Sequence, residues 1–297
     1  MTIAGRRKST IGRALRLAAA GVERWAPAVG AALVDRLWFT VPTVEVARRD
    51  AAVPLGDPVG VPFEVTVGGR RVVGRSWGDG PTAYLVHGWG GWGTQLVGFV
   101  QPLVEAGYRV VTFDSLSHGG SAAGRLGRRR GSLVEMADVL VAVADEHGPA
   151  AVVVAHSLGG AATALALRGG LKVDRLVLLA PAADPGPYLA RLVRGLGFGP
   201  RVLARARARV ERRAGLPIAD LNVPRIAAEV TTPPVLVVHD RDDREVSWSD
   251  GVAIAEAWPS SVLVSTTGLG HRRLLRDRVV LAEVASFVTP DVVKPGR

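Results

Sequence analysis

One segment of the sequence has the pattern of a nucleophilic serine. The strand-like run AAVVVAH (150–156) passes directly into SLGG, which begins at Ser157, and a helical pattern follows. A serine at a sharp strand-to-helix turn exposes its hydroxyl above the sheet, and the residues two before and two after it must be small. Ala155 and Gly159 meet that requirement, with alanine where the usual G-x-S-x-G pattern has glycine. A serine that only caps a helix would give the same local pattern, so Ser157 needs partners to become a catalytic candidate.

The groups that such a serine requires lie further along the chain. A base must accept the serine proton, and a third group must orient that base. The run VLVVHD (235–240) is followed by RDDREV, which puts several carboxylates at one predicted strand end, and the later loop TGLGHRRLL contains His271. The order serine, acid, histidine is the order expected for a serine at this kind of turn. Several carboxylates remain candidates for the acid on this argument alone.

A glycine-rich loop can supply backbone N–H groups for a developing oxyanion. The strand-like run TAYLVH leads into HGWGG, residues 87–91. The expected donors are the amides of Trp89 and Leu158, the second being the residue after the serine. Removal of one such donor from an enzyme costs roughly 10²–10³ in rate, so this loop should matter as much as the side chains.

Alternating strand and helix patterns must position these segments. A Gly68-Gly69 turn joins FEVTV to RRVVGRSW in a predicted β-hairpin. Further short β-branched runs then alternate with helix-length segments, one of which opens with a capping box formed by Ser132 and Glu135. Continuous apolar strands separated by helices predict a mostly parallel sheet covered by helices on both faces. The sequence therefore predicts an α/β fold.

Two parts of the chain fall outside this alternation. Residues 1–60 are predicted to form a helical extension that ends in a connector marked by Pro42, Pro54, Pro58 and Pro62. Residues 182–232 form a long stretch without a clear strand, and inserts of this length are usually lids or binding elements. The predicted organisation is an extension, 1–60, followed by one α/β domain, 61–297, which contains the insertion.

With these motifs in order, residues 61–297 resemble the α/β-hydrolase family. The matching segments are HGWGG, FDSLSHGGS, AHSLGG, HDRDDREV and GLGH. The resemblance implies the family's sheet, a helical cap over the site at 182–232, Ser157 as nucleophile and His271 as base.

The resemblance also selects an acid. The family's G-x-x-D-x-x-V spacing falls on Asp243, although Asp240 stands here at the glycine position. Asp242 and Asp184 are the alternative acids, the latter because it follows the run RLVLL. The second motif also departs from the family, with Ser117 in place of the first glycine of D-x-x-G-x-G-x-S.

Composition and charge limit the possible functions. The 297 residues include 37 Lys and Arg, 27 Asp and Glu, 48% hydrophobic residues and no cysteine. This excludes a disordered chain, a disulfide framework and a cysteine nucleophile or metal ligand. The net charge of +10 does not predict nucleic-acid binding. Only three of the basic residues are lysines, and so strong a bias to arginine is more typical of GC-rich coding than of selection for phosphate binding. The arginine clusters are interpreted as solvent-exposed faces. We expect no nucleic-acid partner.

The N-terminal segment has an amphipathic helical pattern. Apolar residues recur at helical spacing between Ser9 and Trp25, with Arg13, Arg16 and Arg24 elsewhere on the helix. Such a helix can lie on an anionic membrane or pack on the domain. We expect packing, with at most weak peripheral membrane contact through residues 1–25. Charges interrupt every run that could span a membrane or direct export, so we expect a cytoplasmic protein.

Two other functions compete with catalysis by serine. Residues 88–93 satisfy the G-x-G-x-x-G pattern of dinucleotide-dependent oxidoreductases, and Asp114 occupies the position of a ribose-binding acid. The hairpin that precedes this motif argues against that function, and it leaves the Ser157 and His271 segments unexplained. The second competitor is a non-catalytic binding protein of the same fold, whose basic insertion meets an acidic partner.

The sequence therefore predicts a serine hydrolase that cleaves a carboxylic ester or a related, apolar acyl compound without a cofactor. Asp240, Asp242 and Asp243 share one loop and lack the ligand number that calcium requires, so we expect no metal. Thioesterase, lactonase, C–C hydrolase, perhydrolase and acyltransferase activities use the same constellation and stay open. No oligomeric state is predicted.

Overall fold

The computed structural model describes residues 15–42 and 60–289. The chain divides into two compact units. The larger unit contains Val41–Ala183 and the residues from Val223 onward, and the smaller one combines the residues up to Thr40 with Asp184–Asn222. The part of the predicted connector that contains Pro54 and Pro58 lies outside the described residues, as do residues 9–14 of the predicted amphipathic helix.

An eight-stranded sheet forms the larger unit, in the order β1-β2-β4-β3-β5-β6-β7-β8. β1 and β2 form the predicted antiparallel hairpin, β2 is antiparallel to β4, and β3 to β8 are mutually parallel. The predicted mostly parallel α/β-hydrolase sheet is thus confirmed. The strands are β1 (Val61–Val67), β2 (Arg70–Trp77), β3 (Thr82–Val86), β4 (Arg109–Phe113), β5 (Ala150–His156), β6 (Val173–Leu179), β7 (Val235–Asp240) and β8 (Ser261–Thr266).

Helices cover both faces of this sheet. One apolar cluster contains Tyr84, Val86 and Val153, and the other contains Leu85 and Val154, so alternate residues of the same strands belong to opposite faces. A sheet buried on both faces requires continuous apolar strands, and this is why the central strands were recognisable in the sequence. The α-helices of this unit are Val100–Glu105, Leu133–His147, Leu158–Arg168, Val223–Ala227, Trp248–Ala257, Gly270–Arg273 and Arg278–Val288, and two 3₁₀ helices cover Gly93–Phe99 and Leu274–Arg276.

Two predicted helix starts have different outcomes. Ser132 caps Leu133–His147 as predicted, because its hydroxyl accepts a hydrogen bond from the Glu135 amide at 3.2 Å. The run TQLVGFVQPLVEAG, residues 94–107, is one of the helix-length segments and predicts a single helix. The structure has instead a 3₁₀ helix followed by the short α-helix Val100–Glu105. Pro102 accounts for the difference: it has no N–H for an α-helix that began at residue 94, and it is tolerated in the first turn of one that begins at Val100.

The smaller unit is helical in the residues described. Residues 15–25 form one helix, and the others are Pro27–Trp38, Pro185–Gly195, Pro200–Ala214 and the 3₁₀ helix Ile218–Leu221. Gly30 allows close packing between two of them, since a Cβ there would lie 2.8 Å from a Val202 methyl. Asp35, with a side chain only 4% exposed, accepts a hydrogen bond from Arg213 at 3.0 Å.

Glu23 caps a helix that is distant in sequence. Its carboxylate accepts hydrogen bonds from the amides of Gly199, Arg201 and Val202 at 2.9, 2.7 and 3.2 Å, at the start of Pro200–Ala214. Burial opposes ionisation, but these N–H groups outweigh it and lower the pKa of Glu23. The partial positive charge of a helix N-terminus favours a carboxylate at this position. The N-terminal helices and the inserted helices are therefore joined in one unit.

No helix in the described ranges is long and apolar enough to cross a membrane.

Candidate active site

Ser157 lies at the turn between β5 and the helix Leu158–Arg168. Its backbone has φ +54° and ψ −124°, a left-handed φ that non-glycine residues rarely adopt. Such a conformation costs about 1–3 kcal/mol and persists only where the surroundings impose it. Two backbone hydrogen bonds do so here, from Ser157 N–H to the Leu179 carbonyl at 2.9 Å and from Gly160 N–H to the Ser157 carbonyl at 3.0 Å.

Glycine is necessary at two positions beside this turn, Gly159 in the following helix and Gly88 on the loop after β3. A Cβ on Gly159 would lie 2.6 Å from the His87 carbonyl oxygen and 2.7 Å from that of Val86. A Cβ on Gly88 would lie 2.9 Å from the Ser157 Cβ, so the loop after β3 runs directly against the serine. Only glycine permits these two approaches, because backbone atoms or the serine itself occupy the space.

Asp243 lies on the loop that follows β7, and His271 lies in the short helix Gly270–Arg273 after β8. His271 Nδ1 is 2.7 Å from Asp243 Oδ2, and both side chains are buried. A carboxylate at Nδ1 keeps the proton on that nitrogen, which leaves Nε2 as the nitrogen able to accept one. This is the tautomer that a general base requires.

Four donors surround the Asp243 carboxylate. Oδ1 accepts hydrogen bonds from the amides of Glu245 at 2.8 Å and Val246 at 3.0 Å, while Oδ2 is shared by His271 and, at 3.4 Å, by His239 Nε2. Burial alone would raise the pKa of Asp243, but the hydrogen bonds from the two histidines and the Val246 amide hold it well below its usual range. Asp243 is therefore ionised and fixed in orientation.

The other candidate acids have different partners. Asp240 Oδ2 accepts hydrogen bonds from the Thr266 hydroxyl at 2.7 Å and from the Leu269 amide at 3.0 Å, and Asp242 Oδ2 accepts one from the Gly268 amide at 2.9 Å. These two carboxylates tie the His271 loop to the loop after β7. Asp184 caps Pro185–Gly195 by accepting from the Gly186 amide at 2.8 Å.

The proposed oxyanion donors flank Ser157 in the chain or in space. Leu158 is the first residue of its helix, where backbone N–H groups have no partner within the helix itself. Trp89 follows Gly88, the residue in contact with Ser157, and the turn closes with a hydrogen bond from Gly91 N–H to the Gly88 carbonyl at 3.0 Å. His87 anchors this loop, since its Nε2 accepts from the Ser115 amide at 3.0 Å while Nδ1 lies 2.7 Å from the Gly88 carbonyl.

A family comparison fits this arrangement. The model of the alpha/beta hydrolase family matches residues 83–284, more than half of the chain. The chain belongs to the alpha/beta hydrolase family. A search of curated proteins finds no match to the sequence.

Solved structures of similar fold include several enzymes. Est816, described as an N-acyl homoserine lactone degrading enzyme, is 19% identical to this hydrolase, with a TM-score of 0.59 over 75% of this chain and 99% of its own. Est1E from Butyrivibrio proteoclasticus, solved with ferulic acid, is 22% identical, with a TM-score of 0.60 over 76% and 96%. The esterase RhEst1 from Rhodococcus sp. ECU1013 is 23% identical, with a TM-score of 0.55 over 77% and 99%. At these identities the likeness concerns the fold.

His156, the last residue of β5, is a site residue that the sequence analysis did not identify. In this hydrolase its Nε2 lies 3.0 Å from the His271 carbonyl oxygen, and the two imidazole rings are 4.7 Å apart. Burial and the neighbouring His271 lower the pKa of His156 to about 3, so it is a neutral N–H donor at physiological pH. It thereby fixes the backbone of His271. Its position immediately before Ser157 was the only signal in the sequence.

Asp114, at the predicted position of a ribose-binding acid, is engaged in contacts between two loops. Its Oδ1 accepts a hydrogen bond from the Gly93 amide at 2.7 Å, and its Oδ2 accepts one from the Gly120 amide at 2.6 Å. Both oxygens are thus used to join the loops after β3 and β4 of the hydrolase. The G-x-G-x-x-G match at residues 88–93 also leads into a 3₁₀ helix rather than an α-helix. These contacts argue against dinucleotide binding.

Within residues 15–42 and 60–289, no three His, Asp or Glu side chains form a group that could hold a metal.

Proposed function

We propose that this hydrolase cleaves a carboxylic ester or a related acyl compound, with Ser157 as nucleophile, His271 as general base and Asp243 as the orienting acid. The observation that carries the proposal is the 2.7 Å contact between His271 Nδ1 and Asp243 Oδ2. This contact supports the pairing of Asp243 with His271, and the two residues follow Ser157 in the chain order expected for a serine at the end of β5.

In the first half of the reaction, His271 Nε2 takes the Ser157 hydroxyl proton while Oγ attacks the acyl carbonyl carbon. The amides of Trp89 and Leu158 donate hydrogen bonds to the oxyanion of the tetrahedral intermediate. His271 then gives its proton to the alkoxide leaving group, the C–O bond breaks, and an acyl-serine remains. In the second half, a water molecule gives a proton to His271 Nε2 and attacks the carbonyl carbon of the acyl-serine. The bond from that carbon to Ser157 Oγ then breaks, His271 returns its proton to Oγ, and the carboxylic acid is released.

The electrostatics of the loops support this assignment. The protonated His271 formed in each half-reaction lies next to an Asp243 that stays ionised, because four donors stabilise its charge. The adjacent His156 is neutral at physiological pH, so it adds no positive charge that would oppose protonation of His271.

An ester or lactone is the favoured substrate class. The structural neighbours are described as a lactone-degrading enzyme and an esterase, among others. Esters and lactones share the acyl C–O bond that this mechanism breaks. Thioesters and acyl transfer to an alcohol use the same acyl-serine and differ in the leaving group or the acceptor, so a substrate screen must include them.

Intact-mass labelling with a fluorophosphonate tests the proposal. The wild type should gain one adduct, while Ser157→Ala and His271→Ala should gain none over the same period. Ser260→Ala is a matched control because Ser260 is exposed on a turn, and it should label like the wild type. Steady-state hydrolysis of p-nitrophenyl esters of increasing acyl length should follow the same order of variants.

The outcome against the proposal is equally definite. If folded wild type takes up no fluorophosphonate and releases no p-nitrophenol, the serine is not activated, and the non-catalytic binding protein becomes the better hypothesis. If Ser157→Ala still labels, another serine is the nucleophile.

A further inference from the structure

The helix Pro27–Trp38 is apolar on the face that it exposes. Val29, Leu33 and Leu37 recur every four residues and are 63%, 43% and 40% exposed. The opposite face is buried and consists of Gly30, Ala31, Val34 and Asp35. A surface helix normally carries polar residues on the side away from its core. This helix therefore has a second apolar face, which the described residues of its unit leave exposed.

Exposed apolar side chains are concentrated in this part of the chain. Leu15 and Leu17 of the preceding helix are 66% and 67% exposed, and Trp25 is 77% exposed. Of the nine large hydrophobic residues that are exposed in the described chain, six lie between residues 15 and 37. Single exposed apolar residues are ordinary, but a cluster of this kind marks an interaction surface. We call residues Leu15, Leu17, Trp25, Val29, Leu33 and Leu37 the apolar face.

Exposed arginines alternate along the chain with the residues of the apolar face. Arg16, Arg24 and Arg36 are exposed on the same two helices, and the Arg24 guanidinium lies 4.9 Å from the centre of the Trp25 ring. The described part of the smaller unit contains eleven arginines and five carboxylates. These carboxylates are engaged within the unit. Glu23 and Asp184 cap helices, and Asp35 pairs with Arg213. Glu211 accepts a hydrogen bond from the Ile218 amide. The described part of the unit consequently has an excess of positive charge, and the helices that carry the apolar face also expose arginines.

We propose that the apolar face docks this protein on an anionic lipid membrane. Apolar side chains can enter the boundary between headgroups and acyl chains, while arginines extend to the phosphates and tryptophan suits the interface. Each basic residue near an anionic surface adds to the attraction. A second copy of the chain fits less well, because a two-fold interface would bring the arginines of both copies together. Nucleic acid would leave the apolar face unmatched. The proposal is independent of the catalytic assignment.

Vesicle co-sedimentation tests the proposal with a closely matched pair of variants. Val29 and Val279 are 63% and 64% exposed, and both lie in the first turn of a helix, but only Val29 belongs to the apolar face. The full-length wild type should bind phosphatidylcholine vesicles that contain phosphatidylglycerol, and should bind pure phosphatidylcholine far less. Val29→Glu should lower the partition coefficient at least tenfold, whereas Val279→Glu should leave it within twofold of the wild type. Added salt should weaken the wild-type binding.

A second variant and a second measurement keep the result unambiguous. Trp25→Ala should also lower binding at least fivefold, and circular dichroism must show that each variant is folded. Equal binding by Val29→Glu and the wild type would overturn the proposal, as would failure of the wild type to bind anionic vesicles. If sedimentation velocity instead shows a wild-type dimer that Val29→Glu dissociates, the face is a self-association interface. If Val29→Glu unfolds the chain and the wild type neither binds nor dimerises, the face is covered within the same molecule.

Discussion

Replacement of Asp243 by asparagine tests how the loop after β7 controls the tautomer of His271. The amides of Glu245 and Val246 donate hydrogen bonds to Oδ1, and only an oxygen can accept them. The asparagine oxygen must therefore take the position of Oδ1. The asparagine NH₂ then faces His271 Nδ1 at a separation near the present 2.7 Å. Because an NH₂ group can only donate, His271 must carry its proton on Nε2. That tautomer cannot accept the Ser157 proton.

The expected loss follows from this reversal. In a serine protease the same aspartate-to-asparagine change lowers kcat about 10⁴-fold through the wrong tautomer, which corresponds to roughly 5.5 kcal/mol of activation free energy. We expect the second-order rate of fluorophosphonate labelling of Asp243→Asn to fall by about 10³–10⁴, with little change in Tm, since three of the four contacts of the carboxylate can be kept.

Asp242→Asn is the matched control. Asp242 is the adjacent carboxylate, it is exposed, and its contact is acceptance of a hydrogen bond from the Gly268 amide, which an asparagine oxygen can also accept. Its labelling rate should stay within about threefold of the wild type, below 1 kcal/mol. The reasoning is refuted if Asp243→Asn labels within tenfold of the wild type, or if Asp242→Asn is the slower of the two.

Three further changes test other contacts. Gly159→Ala should lower the free energy of unfolding by about 1–3 kcal/mol and abolish labelling, because backbone carbonyls occupy the space of the new Cβ. Gly160→Ala should be close to neutral in urea titrations, because its Cβ would meet a flexible Leu178 methyl at 3.1 Å and the Pro181 Cβ at an ordinary contact distance of 3.5 Å. The pKa of His156 is about 3 in the folded protein and near 6.5 in the unfolded chain. The free energy of unfolding of the wild type should therefore fall by about 1.4 kcal/mol per pH unit from this group as the pH falls below 6.5. In His156→Gln the free energy of unfolding should depend correspondingly less on pH between pH 6 and pH 4.5. Glu23→Ala should cost about 1–2 kcal/mol through loss of a helix cap, measured against the exposed Glu256→Ala, and an equal cost in both would contradict the capping role.

The strands and the order of the motifs were predictable because they depend on local pattern. Continuous apolar runs such as β3 and β5 are needed wherever a sheet is buried on both faces, and the Gly68-Gly69 turn marks the hairpin directly. The strained turn at Ser157 was also visible, since its small neighbours are adjacent in sequence. These features are set by residues within a few positions of one another.

The contacts of charged and polar residues were not predictable in the same way. Asp240 stands where the family pattern has glycine, and only its bonds to Thr266 and Leu269 explain why a carboxylate is useful there. His156 looked like an ordinary strand end until its contact with His271 was seen, 115 residues further along the chain. Hydrogen-bond partners of this kind depend on which loops the sheet brings together, and hydrophobic periodicity carries no information about that.

The Glu23 cap makes two distant segments of the gene depend on each other. A helix whose first amides are satisfied by a carboxylate 176 residues earlier cannot be moved to another protein without that carboxylate. Chimeras that exchange the inserted helices between relatives should therefore carry residues 15–40 with them. Deletion of residues 1–25 would remove the Glu23 cap together with part of the extension. In evolutionary terms, the extension and the insertion form one module and should be gained, lost or altered together.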